Sequence, residues 1–191
     1  MIKVAITGNI ASGKSSVQKI FEDNGFKVFD TDKIAHKLLD DNEKRIIKTF
    51  SDFDITEDGK ISRRKLGRLV FNDENLRKEL ENILHPEIRE EILKRFRENE
   101  NEEFVFVGIP LLYEAKMEDL FDKVVVVCTD ENIRIKRISD RDNLSKDDAL
   151  KRINSQMPQD EKVKLADFVI ENNSDLKTLE KNVYEILNRI K

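Results

Sequence analysis

Cysteine, tryptophan and histidine are nearly absent from this chain of 191 residues, which holds one Cys, no Trp and two His. The single thiol, Cys128, excludes a disulfide within the chain, and its place in the apolar run KVVVVCT indicates a buried cysteine in a strand. His36 and His85 have no partner at a metal-ligand spacing, which excludes a zinc site built from Cys and His. The cysteine usage fits a reducing compartment.

Two further absences limit the classes of partner. The chain has no excess of positive charge: its formal net charge is −4 and its pI ≈ 5.5. A general nucleic-acid binder is therefore not expected, because such proteins meet backbone phosphates with a basic surface. No apolar run approaches the ~18 residues of a membrane span, and the amino terminus, MIKVAITG, does not have the pattern of a secretory signal. We expect a cytoplasmic protein that binds neither nucleic acid nor membrane and is a monomer or a weak homo-oligomer.

Five short apolar runs predict the strands of a sheet: KVAIT, KVFD, EFVFVGIP, KVVVVCT and DFVIENN. They are almost continuously apolar, as strands covered on both faces are, and this pattern is typical of a parallel sheet in an α/β fold. Helical patterns follow Lys14 and Asp175, with apolar side chains at helical spacing. The sequence therefore predicts a five-stranded parallel sheet flanked by helices.

The stretch between the second and third of these runs has helical patterns and no strand pattern. Asn72 or Asp73 is predicted to cap one helix there, and Pro86, directly after His85, to begin another. After the fourth strand, Ser145 with Asp148 forms a capping-box pattern that starts the second helix of an arginine-rich segment.

We expect one domain over residues 1–191, with three parts. A core covers about 1–32, 102–136 and 160–191, an inserted helical lobe about 33–101, and a helical lid about 137–159.

The stretch GNIASGKSS, which begins at Gly8, matches the phosphate-loop pattern G-x-x-x-x-G-K-[ST] and lies between the first strand and the first helix. Backbone N–H groups of such a loop bind phosphate oxygens, Lys14 would reach the β- and γ-phosphates, and Ser15 would ligate Mg²⁺. An ordinary glycine-containing turn is the alternative, but it does not account for strand, loop and helix occurring in this order. The fold class is thus an α/β fold of the P-loop NTPase type. We predict that the loop residues that bind ATP are Gly8, Asn9, Ala11, Ser12, Gly13, Lys14, Ser15 and Ser16.

Two carboxylates, Asp30 and Asp32, follow the second strand at its carboxyl end, the edge of an open α/β sheet where ligands bind. A carboxylate there can take the proton of an acceptor hydroxyl during phosphoryl transfer. The alternative is that both acids cap the helix that begins near Lys33.

Arginines are frequent in the lid segment. Arg134, Arg137 and Arg141 are spaced three and four residues apart and would share a helix face, and Arg152 follows on the next helix. Such a lid brings arginines over a γ-phosphate and excludes water. A solvated charged face is the alternative for these residues, as it is for Arg63 in the lobe, which could otherwise bind an anionic acceptor.

The motifs together resemble those of the dephospho-coenzyme A kinase family. DTDKIAHKLL is similar to its D-A-D-x-I-A segment, GKISRRKLGRLVF to I-x-R-x-x-L-x-x-x-V-F, and LENILHPEI to L-x-x-I-x-H-P-x-I. PLLYE, the lid segment with its R-x-x-x-R-D and Q-M-P, and ADFVIENN resemble later motifs of the family in the same order. The resemblance runs from Ile2 to about Asn173.

This resemblance implies that ATP phosphorylates the ribose 3′-hydroxyl of dephospho-coenzyme A, the last step of coenzyme A synthesis. It implies that Asp32 is the base, and that Lys14, Arg137 and Arg141 act with it in catalysis. The remaining expected contacts are Arg137 and Asn172 with ATP, Asp32, Arg63, His85 and Leu111 with the acceptor, and Ser15 with Mg²⁺.

Gly108 departs from the family pattern, because members commonly have an acid before P-L-L that helps to hold Mg²⁺. Magnesium would then depend on Ser15, the phosphates and water, with Asp30 or Asp32 as outer help, and we expect weaker metal binding without loss of activity. The rival functions are another small P-loop nucleoside or nucleotide kinase, a non-catalytic nucleotide-binding module, and an inactive paralogue. The absence of N-K-x-D weighs against a guanine-reading switch.

Overall fold

The computed structural model describes residues 1–190 and has two compact units. The first unit contains residues 1–30 and the chain from Phe96 onward, and the second is Thr31–Arg95. In chain order the elements are β1 (Ile2–Thr7), α1 (Lys14–Asp23), β2 (Lys27–Asp30), α2 (Thr31–Asp41), α3 (Glu43–Thr49), β3 (Thr56–Glu57), β4 (Lys60–Ile61), α4 (Arg63–Asn72), α5 (Glu74–Glu98), β5 (Phe104–Gly108), β6 (Lys123–Cys128), α6 (Glu131–Asp142), α7 (Lys146–Asn154), α8 (Gln159–Leu165), β7 (Phe168–Glu171) and α9 (Leu176–Ile190).

The first unit is built on a parallel sheet with strand order β2-β5-β1-β6-β7. The predicted α/β class with five parallel strands is thus confirmed. The order places β1, which leads into the phosphate loop, between β5 and β6. The carboxyl ends of parallel strands lie at one edge of the sheet, so the residues after these strands come together there.

Helices α1 and α9 pack against this sheet through a continuous apolar core. Phe21 of α1 stacks on Phe106 of β5, with ring centroids 4.0 Å apart and an interplanar angle of 19°. On α9, Leu179 and Val183 are buried at helical spacing, as the sequence predicts. Burial of side chains of this size contributes roughly 1.5–3 kcal/mol each, which fixes α1 and hence the loop that precedes it.

The second unit differs from the prediction in two respects. It contains a short antiparallel hairpin, β3 and β4, where no strand was predicted, because pairs of residues are too short to show a period. The predicted helix start at Pro86 is also wrong: α5 is a single helix of 25 residues with Pro86 in its interior. A proline inside a helix costs about 3 kcal/mol. Apolar residues buried on both sides of it, among them Ile83 and Ile92, outweigh that cost.

The predicted helix caps are confirmed. The Asp73 carboxylate accepts bonds from the backbone N–H groups of Asn75 and Leu76 at 2.8 and 3.1 Å, directly before α5. Ser145 Oγ accepts from the N–H of Asp148 at 3.1 Å and starts α7. The roles of the helical lobe in binding the acceptor and of residues 137–159 as a lid stay predictions. No helix among residues 1–190 combines the length and the hydropathy needed to cross a membrane.

Candidate active site

The phosphate loop joins β1 to α1 through a backbone that ordinary side chains disfavour. Ala11 and Gly13 have φ angles of 62° and 95°. Gly13 is also crowded, because a Cβ atom on it would collide with the side-chain amide of Asn172. Glycine is therefore required at position 13 by the backbone and by the neighbouring side chain together.

The carbonyl oxygen of Ser12 anchors the loop to the ends of β6 and β7. The Thr129 hydroxyl and the Asn172 amide nitrogen each donate to it, both at 2.8 Å. Thr129 and Asn172 are 1% and 7% exposed, so these bonds are made away from water. The structure thus places Asn172 on the loop itself, and its predicted contact with ATP stays a prediction. The motif search missed Thr129, since a lone threonine after a strand has no recognisable pattern.

A second anchor comes from the Q-M-P segment between α7 and α8. Gln156 Oε1 accepts from the backbone N–H of Ile10 at 2.7 Å, and Asn9 donates its side-chain amide to the Met157 carbonyl at 2.8 Å. The loop is therefore held from both sides by groups of the protein itself. A preformed loop of this kind binds phosphate without first losing conformational entropy.

The Q-M-P segment is itself fixed by a buried ion pair that the sequence analysis did not find. Lys162 Nζ lies 2.8 Å from a carboxylate oxygen of Glu114 and donates to the Pro110 carbonyl at 3.0 Å. The Lys162 side chain is 0% exposed. Glu114 also accepts from the N–H of Met157 at 3.1 Å. The motifs P-L-L-Y-E and Q-M-P therefore meet through Glu114, and Lys162, which lies in α8 without any motif of its own, balances the charge of that carboxylate.

Lys14 points into a buried polar cluster at the edge of the sheet. Its Nζ lies 3.9 Å from a carboxylate oxygen of Asp30 and donates to Gln18 Oε1 at 3.1 Å. The Lys14 side chain is 10% exposed and that of Asp30 is 20% exposed. Asp30 thus balances the lysine charge within the first unit, whereas sequence reasoning considered it only as a cap, an acid facing the γ-phosphate or outer help for the metal.

The residues at the start of α1 fit a magnesium ion that is held mainly by phosphates and water. Ser15 and Ser16 are exposed in the first turn of α1, and a hydroxyl is a hard oxygen ligand of the kind Mg²⁺ takes. Within residues 1–190, no group of three or more His, Cys, Asp and Glu side chains gathers as a metal site. The protein alone would therefore supply few ligands, and the predicted role of Ser15 stays a prediction.

Helices α6 and α7 carry the predicted lid arginines, and the structure separates them into two groups. Arg137 donates to the Ala11 carbonyl at 3.1 Å and to the Asn172 carbonyl at 3.2 Å, so its guanidinium lies against the phosphate loop. Arg141 and Arg152 instead contact the Asp142 carboxylate, at 2.8 and 2.6 Å. The hydrogen bond from Arg141 holds the pKa of Asp142 below its usual value. Only Arg137 of the set is placed on the loop in this structure.

Arg134 is buried at 5% exposure, which the picture of a shared solvated face did not predict. Its Nε and Nη1 atoms have no hydrogen-bond partner within the part of the chain that the structure describes. Burial lowers the pKa of this guanidinium, since it disfavours the charged form. Helix α6 therefore directs its arginines to different surroundings despite their regular spacing.

Three predicted acceptor residues lie in the second unit. Asp32 is exposed in the first turn of α2, which begins at Thr31, near Lys33 as predicted. Arg63 opens α4 and contacts the Asp40 carboxylate at 2.9 Å. His85 lies within α5, and burial lowers its pKa, with Glu81 opposing the shift. Neutral imidazole is thus favoured. The fourth residue, Leu111, lies in the first unit after β5 and is 37% exposed.

The parallel sheet and the phosphate loop at the start of α1 define a P-loop α/β protein. A family profile described as dephospho-CoA kinase matches residues 2–178. A dephospho-CoA kinase of Carboxydothermus hydrogenoformans is 40% identical over 193 residues, which cover 98% of this chain and 94% of the relative. The chain belongs to the dephospho-CoA kinase family.

Solved structures agree with this assignment over the same length. A dephospho-CoA kinase from Campylobacter jejuni has a TM-score of 0.75 and 38% identity, and covers 98% of this chain and 96% of its own. A crystal structure from Thermus thermophilus has a TM-score of 0.87 and 34% identity, and covers 100% of this chain and 98% of its own. The likeness therefore includes both compact units.

Proposed function

We propose that this protein transfers the γ-phosphate of ATP to the ribose 3′-hydroxyl of dephospho-CoA, giving CoA and ADP. The observation that carries the proposal is the preformed phosphate loop with Lys14 and Arg137 on it, in a chain that matches the dephospho-CoA kinase family from residue 2 to 178. Family membership supplies the acceptor, and the loop supplies the reason that a triphosphate is bound.

The loop and its cations perform the electrostatic part of the reaction. In phosphoryl transfer the catalytic groups position the phosphates and stabilise charge on the equatorial oxygens. Lys14 keeps its bond to Gln18 and turns its other N–H donors from Asp30 to the β- and γ-phosphates. Arg137 already lies on the loop, and Arg141 joins it by leaving Asp142. That exchange is cheap, because Arg141 and Asp142 form a pair on the surface, with the arginine side chain 59% exposed.

Magnesium is the metal the reaction needs, and Ser15 is the side chain that would hold it. When bound, Mg²⁺ neutralises charge on the β- and γ-phosphate oxygens. The donor set described above leaves most of its coordination to phosphate and water, which Mg²⁺ accepts readily.

The second unit supplies the acceptor side. Asp32 is the proposed base for the 3′-hydroxyl, and its exposure in the first turn of α2 leaves the carboxylate accessible to a substrate. Arg63 and His85 are proposed to bind the acceptor, together with Leu111. The contact between Arg63 and Asp40 is exposed, 49% and 67%, so an anionic phosphate of the acceptor replaces it at little cost. We place the enzyme in the cytoplasm, as a monomer or weak homo-oligomer, with no nucleic-acid or membrane partner.

The deciding experiment is a phosphotransfer assay with ATP, Mg²⁺ and dephospho-CoA, beside a panel of nucleosides and nucleoside monophosphates. We expect CoA from dephospho-CoA and little transfer to the panel. Asp32→Asn should lower the rate by about a thousandfold, the scale of general base catalysis. The matched control is Asp41→Asn, which removes an exposed acid from the same helix and should keep the wild-type rate. Selective transfer to a nucleoside would replace the proposed acceptor, and an unaffected Asp32→Asn would remove the proposed base.

A further inference from the structure

Gln18 lies on α1 one turn after Lys14 and uses both ends of its amide. Oε1 accepts from Lys14, as described above, and Nε2 donates to a carboxylate oxygen of Asp30 at 3.3 Å. The residue is 4% exposed. A glutamine is rarely buried to this degree unless its amide is bonded at both ends. The amide therefore bridges the lysine and the carboxylate that balances its charge.

Gly108 is the reason that the Gln18 amide fits at this place. It ends β5, in register with Ile6 on one side and Asp30 on the other. A Cβ atom on residue 108 would lie 2.5 Å from the Gln18 Cδ and 2.9 Å from its Oε1, and would collide with its Nε2. The Gln18 side chain thus occupies the space that the Cβ atom of any other residue at position 108 would need.

We propose that Gln18 is a positioning residue for Lys14 and that Gly108 is its obligate companion, because the Gln18 amide takes the space that a side chain at position 108 would need. The inference rests on the proposed function, in that Lys14 is taken to bind the phosphates of ATP. The amide supplies the oxygen that holds the lysine, and the glycine supplies the room.

A neutral amide suits this task for an energetic reason. Lys14 must be held in place while its ammonium binds the phosphates, and with three N–H donors it can bond the Gln18 amide and phosphate oxygens together. A carboxylate in the place of the amide oxygen would add a Coulomb attraction, which is larger in a buried site, and would draw the lysine away from the phosphates. The bond to the amide oxygen orients the lysine and leaves its other donors for phosphate, and the charge of Lys14 is balanced by Asp30 at 3.9 Å.

The first test is Gln18→Met, because methionine keeps the length and helix preference of glutamine but makes neither bond. We expect the Kd for ATP to rise about tenfold, the scale of one lost hydrogen bond to a charged group. The Kd for AMP should change less than about twofold, since Lys14 reaches only the β- and γ-phosphates. Lys19→Met, at the exposed neighbouring position of α1, is the matched control and should bind both nucleotides like the wild type.

The second test compares Gly108→Ala, Gln18→Ala and the double variant that carries both changes. The added methyl displaces the flexible end of Gln18, so Gly108→Ala should weaken ATP binding by about tenfold without touching Lys14. Because both single changes break the same contact, the double variant should lose about tenfold and not the roughly hundredfold expected of independent effects. Should Gly108→Ala fail to fold, the comparison of Gln18→Met with Lys19→Met decides the matter.

Titration with nucleotides needs no acceptor, so the test stands apart from the identity of the substrate. A wild type that fails to phosphorylate dephospho-CoA but shows these ATP effects would overturn the proposed function and keep the role of Gln18. Unchanged ATP affinity in Gln18→Met, equal losses for ATP and AMP, or multiplying effects in the double variant would each show that Gln18 only fills space. A wild type that binds ATP no more tightly than AMP would overturn the inference as well.

Discussion

The ion pairs near the phosphate loop in the first unit and the ion pair of Arg63 in the second unit differ in their exposure. In the first unit Lys162 is fully buried and pairs with Glu114 at 2.8 Å, and Lys14 is nearly buried beside Asp30. In the second, Arg63 and Asp40 pair at 2.9 Å with side chains 49% and 67% exposed. The Lys162–Glu114 and Arg63–Asp40 distances are alike, so these two pairs differ in their access to water.

This difference has energetic consequences. A buried pair loses its hydration, and removing one partner leaves a charge that nothing compensates, whereas an exposed pair contributes little and exchanges partners freely. The unit with the phosphate loop is therefore fixed before ATP binds. The unit with the proposed acceptor residues keeps its arginine available for another anion.

Lys162→Met should give the largest effect and would test the buried side of the comparison most directly. Loss of the lysine leaves Glu114 without its ion pair. Glu114 is also the residue that accepts the backbone N–H bond of Met157, so the Q-M-P segment is held less firmly. We expect the free energy of unfolding to fall by about 3 kcal/mol, the lower end for a broken buried pair, because Glu114 keeps some access to water.

Urea unfolding measures this, with Lys19→Met as the control, since Lys19 pairs with Asp23 on the surface of α1. The control should change stability by less than about 0.5 kcal/mol. Equal losses in both variants would abolish the distinction between buried and exposed pairs.

Asn172→Ala should follow in size. It removes the donor to the Ser12 carbonyl and leaves the space beside Gly13 open, so the loop loses one of its two anchors on that side. We expect stability to fall by about 1–2 kcal/mol, the cost of a buried hydrogen bond, and the Kd for ATP to rise with it. Asn173→Ala, at the exposed neighbouring position, is the matched control for calorimetric titration with ATP. A variant that kept wild-type ATP affinity would show that the loop does not need this anchor.

Arg63→Ala tests the exposed side. The KM for dephospho-CoA should rise about tenfold through the lost ionic contact, while stability changes by less than about 1 kcal/mol. Arg64→Ala is the control, since Arg64 is the next residue on α4 and pairs with Glu57 at 2.8 Å. Initial rates at varied acceptor concentration, with ATP saturating, give the comparison. If the KM for ATP rose and that for dephospho-CoA did not, Arg63 would bind ATP, and its proposed contact with the acceptor would be wrong.

The smallest effect concerns pH. Burial lowers the pKa of His85 from the ordinary value of 6.5, so below that value the unfolded chain binds a proton that the folded one does not. Stability should therefore be complete above pH 6.5 and fall as the pH decreases from 6.5 toward the lower pKa of the folded state. His85→Gln should flatten this dependence in urea unfolding at a series of pH values. His36→Gln, at the exposed histidine, should keep it.

Much of the candidate site could be predicted from the sequence, because its patterns are local. The loop from Gly8 to Ser15, the cap at Ser145 and the parallel strands each depend on neighbouring residues or on a short apolar period. Helix α5 could not be predicted as one helix, since the cost of Pro86 is local but the burial that outweighs it is not.

What the sequence determined by itself was the order of strand, phosphate loop and helix, the five strands and the family. Only the tertiary structure decided which side chains hold the loop: Thr129 and Gln156 lie far along the chain from the loop residues they bond, and Lys162 lies as far from Glu114. No local pattern marks Thr129 or Lys162, and the Q-M-P motif does not by itself show what Gln156 contacts. It also decided that the Gln18 amide fills the space beside Gly108. The sequence alone shows only that position 108 lacks the acid of the family pattern. The physical reason is common to these cases. Burial and hydrogen bonding depend on distance in space, and the sequence specifies that distance only through the packing of the whole fold.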